Sequence, residues 1–154
     1  SGCNRNKWTF PLDVDGSPLL IDPTADDPWD HFFFDERTGI ICARYLADGS
    51  RDPKATATLE LLRIGDAEAI SESRIRAWRN MARSVNVFLS AAPRGADGAA
   101  MAVLVDELEQ AVRDNDDFGL GRWCFHREGM KRAPFKQLRA DYPDAWAKMR
   151  EATE

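Results

Sequence analysis

The sequence has few residues that could hold the chain together through covalent or metal cross-links. It contains three cysteines in 154 residues, Cys3, Cys42 and Cys124, and this odd, widely spaced set does not match a disulfide framework. We therefore expect free thiols in a reducing compartment, the cytoplasm. No apolar run approaches the roughly 20 residues that a membrane-spanning helix needs, so we expect no membrane partner.

Motifs of several common enzyme classes are missing as well. There is no glycine-rich phosphate loop and no nucleophile elbow, so nothing supports a small-molecule enzyme of those types. What is present is an ordinary globular composition, with five Trp and eight Phe available for a core. A chain of this length buries about 70% of its unfolded surface, and it can fold without disulfides or metals.

Basic residues are absent from one stretch and concentrated in two others. Between Trp8 and Glu36 there is no Lys or Arg. The acidic residues of that stretch are Asp13, Asp15, Asp22, Asp26, Asp27, Asp30, Asp35 and Glu36. By contrast, residues 122–139 contain six bases against one acid, and residues 74–83 contain four arginines and no acid. This polarity indicates either an internal acidic–basic contact or a basic face for a polyanion.

The apolar pattern predicts an α+β fold that is mainly α, with an extended N-terminal arm. Within residues 1–50, short apolar runs at 19–21 and 31–34 read as strands. The segments 32–34 and 40–44 are expected to pair as a small β-hairpin. Residues 51–154 are expected to form a helical domain of about five helices around one core.

The helices are predicted from caps and periodicity. Asp52-Pro53 marks the start of a helix over 55–62, because Asp is a good cap and Pro is favoured in the first turn. The clearest helix comes next, with apolar residues at three- and four-residue steps. These residues are Ile75, Trp78, Ala82, Val85, Leu89 and Ala92. Another helix is expected from about Asp97, and two shorter ones open at Pro134 and Pro143.

The run Cys3-Asn4-Arg5-Asn6-Lys7 is followed by other segments in a particular order. They are Phe10-Pro11-Leu12, Leu20-Ile21-Asp22-Pro23-Thr24-Ala25-Asp26-Asp27-Pro28, His31-Phe32-Phe33-Phe34-Asp35 and Gly39-Ile40, with looser matches at 57–64 and at Ala133-Pro134-Phe135. In this order the chain resembles the HNH-type nucleases of retron and Septu antiphage defence systems. The resemblance covers nearly the whole chain, and the part of the family that it matches is the non-catalytic C-terminal part.

The resemblance implies roles for three residues. Cys3 corresponds to the last cysteine of a structural zinc site, Asn4 to a position beside the catalytic metal, and Lys7 to a phosphate contact. An intact relative would carry Zn and Mg or Mn, and its general-base His and other zinc cysteines would lie upstream of the position of Cys3. We therefore expect this chain to start where that motif ends, to contain no catalytic residue and to bind no cofactor alone. The family also implies an ATPase partner.

Two basic groups are candidates for contacts with DNA or RNA. They are Arg76, Arg79 and Arg83 on the predicted long helix, and Arg127, Lys131 and Arg132 in a stretch that also contains Trp123, Phe125 and Phe135. Lys and Arg neutralise phosphates, and exposed aromatic rings stack on bases. The alternative is that the aromatic residues fill the core. The basic side chains would then face solvent or pair with the acidic residues of the N-terminal arm.

Both histidines have neighbours that could suggest chemistry. Asp30-His31 looks like an acid–base pair, but it follows the Cys-Asn element instead of preceding it and lies in a predicted strand, so we expect a structural role. Cys124 and His126 could bind a metal only with a distant third ligand, and their spacing matches no zinc pattern.

The sequence leaves two functions open. In the first, the chain is the C-terminal region of an HNH nuclease, which cleaves phosphodiester bonds in the intact protein and is inactive alone. In the alternative, it is a non-catalytic binding or partner-docking module that keeps the scaffold of the family.

Overall fold

A computed structural model describes residues 11–64, 68–92 and 98–154, so predictions about Cys3, Asn4 and Lys7 lie outside the described residues. The elements are α1 (Pro28–His31), β1 (Phe32–Phe34), β2 (Ile41–Ala43), α2 (Pro53–Leu62), α3 (Glu68–Ala91), α4 (Gly98–Asp114), α5 (Leu120–His126), α6 (Ala133–Asp141) and α7 (Pro143–Ala152). Single 3₁₀ turns at Asp117–Gly119 and Glu128–Lys131 flank α5. No helix in the described ranges is both long and apolar enough to cross a membrane.

The mainly helical α+β fold predicted from the sequence is confirmed. Seven α-helices and one two-stranded antiparallel sheet occur in the described residues, where about five helices were expected. The chain forms two compact units, 11–73 and Arg74–Glu154, and the division falls within α3. The predicted division at residues 50 and 51 stays a prediction.

The predicted hairpin is present in the N-terminal unit. Phe32 pairs with Ala43 and Phe34 with Ile41, and all four side chains are buried. The turn closes where the Asp35 carbonyl accepts the Gly39 N–H at 2.7 Å. Gly39 has a φ of 71°, a conformation that favours glycine, which explains why the turn ends there.

The predicted strand at residues 19–21 is wrong. The segment is irregular, and the Ile21 N–H donates to Thr58 Oγ1 on α2 at 3.0 Å instead of joining a sheet. His31 also lies outside the hairpin, because it is the last residue of α1. That helix is a single turn, started by Pro28 behind the capping carboxylate of Asp27, and is too short to show helical periodicity.

Helix α2 begins as predicted and packs against β2. Asp52 is its N-cap, with Oδ1 accepting the Ala55 N–H at 3.0 Å, and Pro53 occupies the first turn. The helix ends at Leu62, before Arg63, which adopts the left-handed conformation at φ 52°.

Helix α3 exists as predicted but starts earlier and buries a different face. Its buried side chains are Ser71, Arg74, Ala77, Met81, Val85 and Phe88. Ile75, Trp78 and Leu89 are half-buried instead. The buried stripe is therefore rotated by about one residue from the predicted one. Sequence periodicity missed it because Arg74 lies on the buried stripe, with its guanidinium 5.5 Å from the centre of the Phe118 ring.

The core of the C-terminal unit is built around α5, which the sequence did not predict. Leu120, Trp123, Cys124 and Phe125 are fully buried there. The Phe125 ring meets Phe135 of α6 edge-on at 5.3 Å and Trp146 of α7 at 5.1 Å. A helix that is buried on most sides lacks the alternating polar face on which sequence prediction depends.

Gly129 permits the close packing of the turn after α5. A Cβ atom at this position would lie 2.6 Å from the Cys124 Cα atom and 2.8 Å from the Trp123 ring. Since both neighbours are buried and one is backbone, neither can move aside cheaply. Gly98 offers the opposite case, because a Cβ atom there meets nothing within 4 Å.

We expect Gly129→Ala to lower the free energy of unfolding by about 1–3 kcal/mol, because the methyl group overpacks the α5 core. The matched control, Gly98→Ala, should change it by less than about 1 kcal/mol. Urea unfolding followed by tryptophan fluorescence measures both. Equal effects of the two substitutions would contradict the tight contact at Gly129.

Candidate nucleic-acid interface

The most prominent unpaired cationic feature is a row of three arginines on α3. Arg76, Arg79 and Arg83 are all exposed, and their three- and four-residue spacing places them on one side of the helix. Since an α-helix rises about 1.5 Å per residue, the row extends over roughly 10 Å. Within the described ranges, none of the three forms an ion pair. We call this feature the α3 arginine row.

Several other cations of the chain are neutralised by neighbouring acids. Lys54 Nζ lies 3.0 Å from Asp26 Oδ2, and Arg113 Nη2 lies 2.9 Å from Glu109 Oε1. Lys148 also binds Glu109 at 3.0 Å. Hydrogen bonds from Lys148 and Arg113 lower the pKa of the Glu109 carboxyl. The α3 arginine row differs because its charge is left available to an external anion.

An open groove lies beside the α3 arginine row. It has a volume of about 700 Å³ and is lined by Trp78, Arg79, Ala82, Arg83, Asn86, Val87, Ser90 and Ala91. Trp78 is fixed there, with its ring stacked on Phe135 and edge-on to Trp123, both at 5.3 Å. Val87 is 61% exposed. The closeness of Val87 and Ala91 to the arginines was the sequence signal for this groove. The prediction of α3 from apolar periodicity did not use these two residues.

The second basic group, Arg127, Lys131 and Arg132, is less available to an external anion than the α3 arginine row. Lys131 Nζ is 2.9 Å from Glu128 Oε2, and Arg127 is half-buried. Arg132 is exposed and immediately precedes α6. The aromatic residues expected as possible stacking partners, Trp123, Phe125 and Phe135, are fully buried. These rings fill the core, as the alternative interpretation of the sequence held, so they cannot stack on nucleic-acid bases.

His31 pairs with Asp52, not with the neighbouring Asp30. Its Nδ1 atom lies 2.8 Å from Asp52 Oδ2, while Asp52 Oδ1 caps α2. Both side chains are largely buried. The pair therefore joins the end of α1 to the start of α2, a structural role that agrees with the expectation for His31.

No metal site is formed by the residues that the structure describes. They contain no group of three or more His, Cys, Asp or Glu side chains placed to hold an ion. His126 has both ring nitrogens engaged, with Nδ1 near Arg150 Nη2 at 3.2 Å and Nε2 near the Arg150 carbonyl at 3.0 Å. The metal roles of Cys3 and Asn4 lie outside the described residues and stay predictions.

Comparison of the chain with family models, with curated proteins and with solved structures finds no match. The likeness to HNH nucleases is therefore an interpretation of sequence motifs. The geometry around α3 is the main structural basis for a functional proposal.

We expect the two oxygens of Asp52 to contribute separately to stability. Asp52→Ala removes both the α2 cap and the His31 partner, and should cost about 2–4 kcal/mol of unfolding free energy. Asp52→Ser keeps a capping oxygen, so its cost should be about 1 kcal/mol smaller. Chemical denaturation measures both, with Asp15→Ala as an exposed control.

A His31→Gln substitution tests the pair itself. The double variant with Asp52→Ala should lose less unfolding free energy than the two single variants lose together. The reason is that Asp52→Ala has already removed the partner of His31. Strict additivity would show that the 2.8 Å contact contributes nothing.

Proposed function

We propose that this chain is the C-terminal region of an HNH-type nuclease of an antiphage defence system, acting in the cytoplasm. In this proposal it holds nucleic acid by the phosphate backbone and leaves cleavage to catalytic residues elsewhere in the intact protein. The ordered motifs from Cys3 to Phe135 support the family assignment. The α3 arginine row supports the role.

The single observation that carries the role is that none of the row's arginines forms an ion pair with a residue that the structure describes. Arginine side chains cost conformational entropy to order, and a row of like charges on one helix face repels itself. A polyanion removes that repulsion and accepts charge-assisted hydrogen bonds. The row's length of roughly 10 Å corresponds to about three steps of 3.4 Å along one DNA strand.

The two histidines support a non-catalytic role for this region. The chain contains two, His31 and His126. Asp52 binds the first while capping α2, and Arg150 occupies both ring nitrogens of the second. A general base needs a ring nitrogen directed at a water beside the scissile phosphate. Neither histidine lies in the α3 groove.

We expect the purified chain to bind a DNA duplex with a salt dependence set by the α3 arginine row. Each phosphate contact contributes about −0.9 to the slope of log K against log salt concentration. Replacing Arg76, Arg79 and Arg83 by Gln should therefore make the slope shallower by about 2–3. Fluorescence anisotropy over a salt series measures the slope.

The control removes the same number of charges elsewhere. It replaces Arg37, Arg113 and Lys136 by Gln, three exposed bases outside the row. This variant should change the slope by less than about 1, because only weak long-range attraction is lost. If both triple variants changed the slope equally, binding would reflect net charge and the role of the row would be refuted.

We also expect no cleavage of plasmid DNA by the purified chain with Mg²⁺ or Mn²⁺. Agarose gel electrophoresis should show supercoiled plasmid unchanged by the wild type. Cleavage that His31→Ala or Asn4→Ala abolished would contradict the assignment of catalysis to other residues. The anisotropy assay tests nucleic-acid binding by itself, so binding and cleavage can be judged separately.

A second candidate function, docking of a protein partner such as the ATPase of a defence system, is favoured by the open groove. Its exposed Val87 and Ala91 lie among polar and basic residues, a composition typical of protein interfaces. Val87→Gln separates the two functions, because it alters the groove and keeps all three arginines. Nucleic-acid binding should survive this change, whereas docking of an apolar partner surface should not.

A further inference from the structure

A smaller cavity, which shares no lining residue with the α3 groove, lies among α5, α6, α7 and the turn after α5. It has a volume of about 190 Å³ and is partly enclosed. Its lining residues are Phe125, His126, Met130, Arg139, Trp146 and Arg150. Four of them carry nitrogen donors or acceptors, two of these four are arginines, and none of the six is acidic.

Two guanidinium groups share this cavity without a carboxylate. Arg139 Nη1 lies 4.0 Å from the Met130 sulfur, and Arg150 contacts His126. Neither arginine forms an ion pair with any residue in the described part of the chain. Both arginines are exposed, and both line a cavity that is walled by the buried rings of Phe125 and Trp146. Because no carboxylate lines the cavity, an anion there would offset the mutual repulsion of the two like charges.

His126 fixes the position of one of these guanidinium groups. Arg150 donates to His126 Nδ1 from Nε at 3.4 Å and from Nη2 at 3.2 Å. The ring must therefore accept at Nδ1 and donate from Nε2, which lies 3.0 Å from the Arg150 carbonyl oxygen. His126 is a positioning residue that holds Arg150 at the cavity.

We propose that this cavity binds a phosphate monoester group. A phosphate dianion matches the two positive charges, and guanidinium groups bind phosphate oxygens through paired, charge-assisted hydrogen bonds. The volume corresponds to about six water molecules, which suits a tetrahedral oxyanion. It is smaller than the roughly 300 Å³ at which sites for whole drug-sized ligands begin, so only the phosphate of a larger molecule would enter.

This site is independent of the α3 arginine row. The two share no residue, and the cavity lies against buried aromatic rings on other helices, although the arginines of both are exposed. The row suits successive phosphates along a strand. The cavity suits one terminal or free phosphate, because its two arginines match the charge of a single dianion. Failure of either proposal leaves the other standing.

The test uses the full chain and inorganic phosphate, with binding followed by isothermal titration calorimetry or ³¹P line broadening. Arg139→Gln and Arg150→Gln should each weaken binding by about tenfold or more, the loss expected for one charge-assisted contact. Lys136→Gln is the control, since Lys136 is exposed on α6 and does not line the cavity. Circular dichroism checks that each variant is folded.

A second pair of probes identifies the source of the phosphate. If an oligonucleotide with a 5′-phosphate binds more tightly than its 5′-hydroxyl form, and Arg139→Gln removes the difference, the ligand is a nucleic-acid end. If the two oligonucleotides bind equally while inorganic phosphate is sensitive to Arg139→Gln, the ligand is a free phosphate or small phosphomonoester. Phosphate binding weaker than about 10 mM, or binding unchanged in both arginine variants, overturns the proposal.

Discussion

The burial of α5 is the constraint on which the C-terminal unit depends. Trp123, Cys124 and Phe125 lie in consecutive positions and are all fully buried, so the surrounding chain must cover α5 on several sides at once. Helices α6 and α7 do this with Phe135 and Trp146. Burying side chains of this size stabilises a fold by about 1.5–3 kcal/mol each. The tight turn at Gly129 follows from the same requirement.

This core also decides which charges remain available. Because Trp78 packs on Trp123 and Phe135, the side of α3 that carries Arg79 and Arg83 stays outside the core. The Arg74 guanidinium meets the Phe118 ring on the other side. The basic residues near α5 either form ion pairs or lie on the surface. Among the described residues, the α3 arginine row and the small cavity at α7 are two places where exposed arginines form no ion pair.

Local signals were enough to predict the elements whose contacts are local. The hairpin and the start of α2 followed from turn and cap residues such as Gly39 and Asp52, whose partners lie within a few positions. The rotation of α3, the helix α5 and the partner of His31 were not predicted, because each depends on residues distant in sequence. The α3 arginine row could be predicted from spacing alone, but the cavity joins three helices and left no pattern in the chain.

The central claim is that nucleic acid covers the α3 arginine row. Arginine-selective modification by phenylglyoxal, measured for each residue by mass spectrometry with and without a DNA duplex, tests it most directly. We expect DNA to slow modification of Arg76, Arg79 and Arg83 and to leave that of Arg113, which is paired with Glu109, unchanged. Equal modification of the row with and without bound DNA would contradict the account.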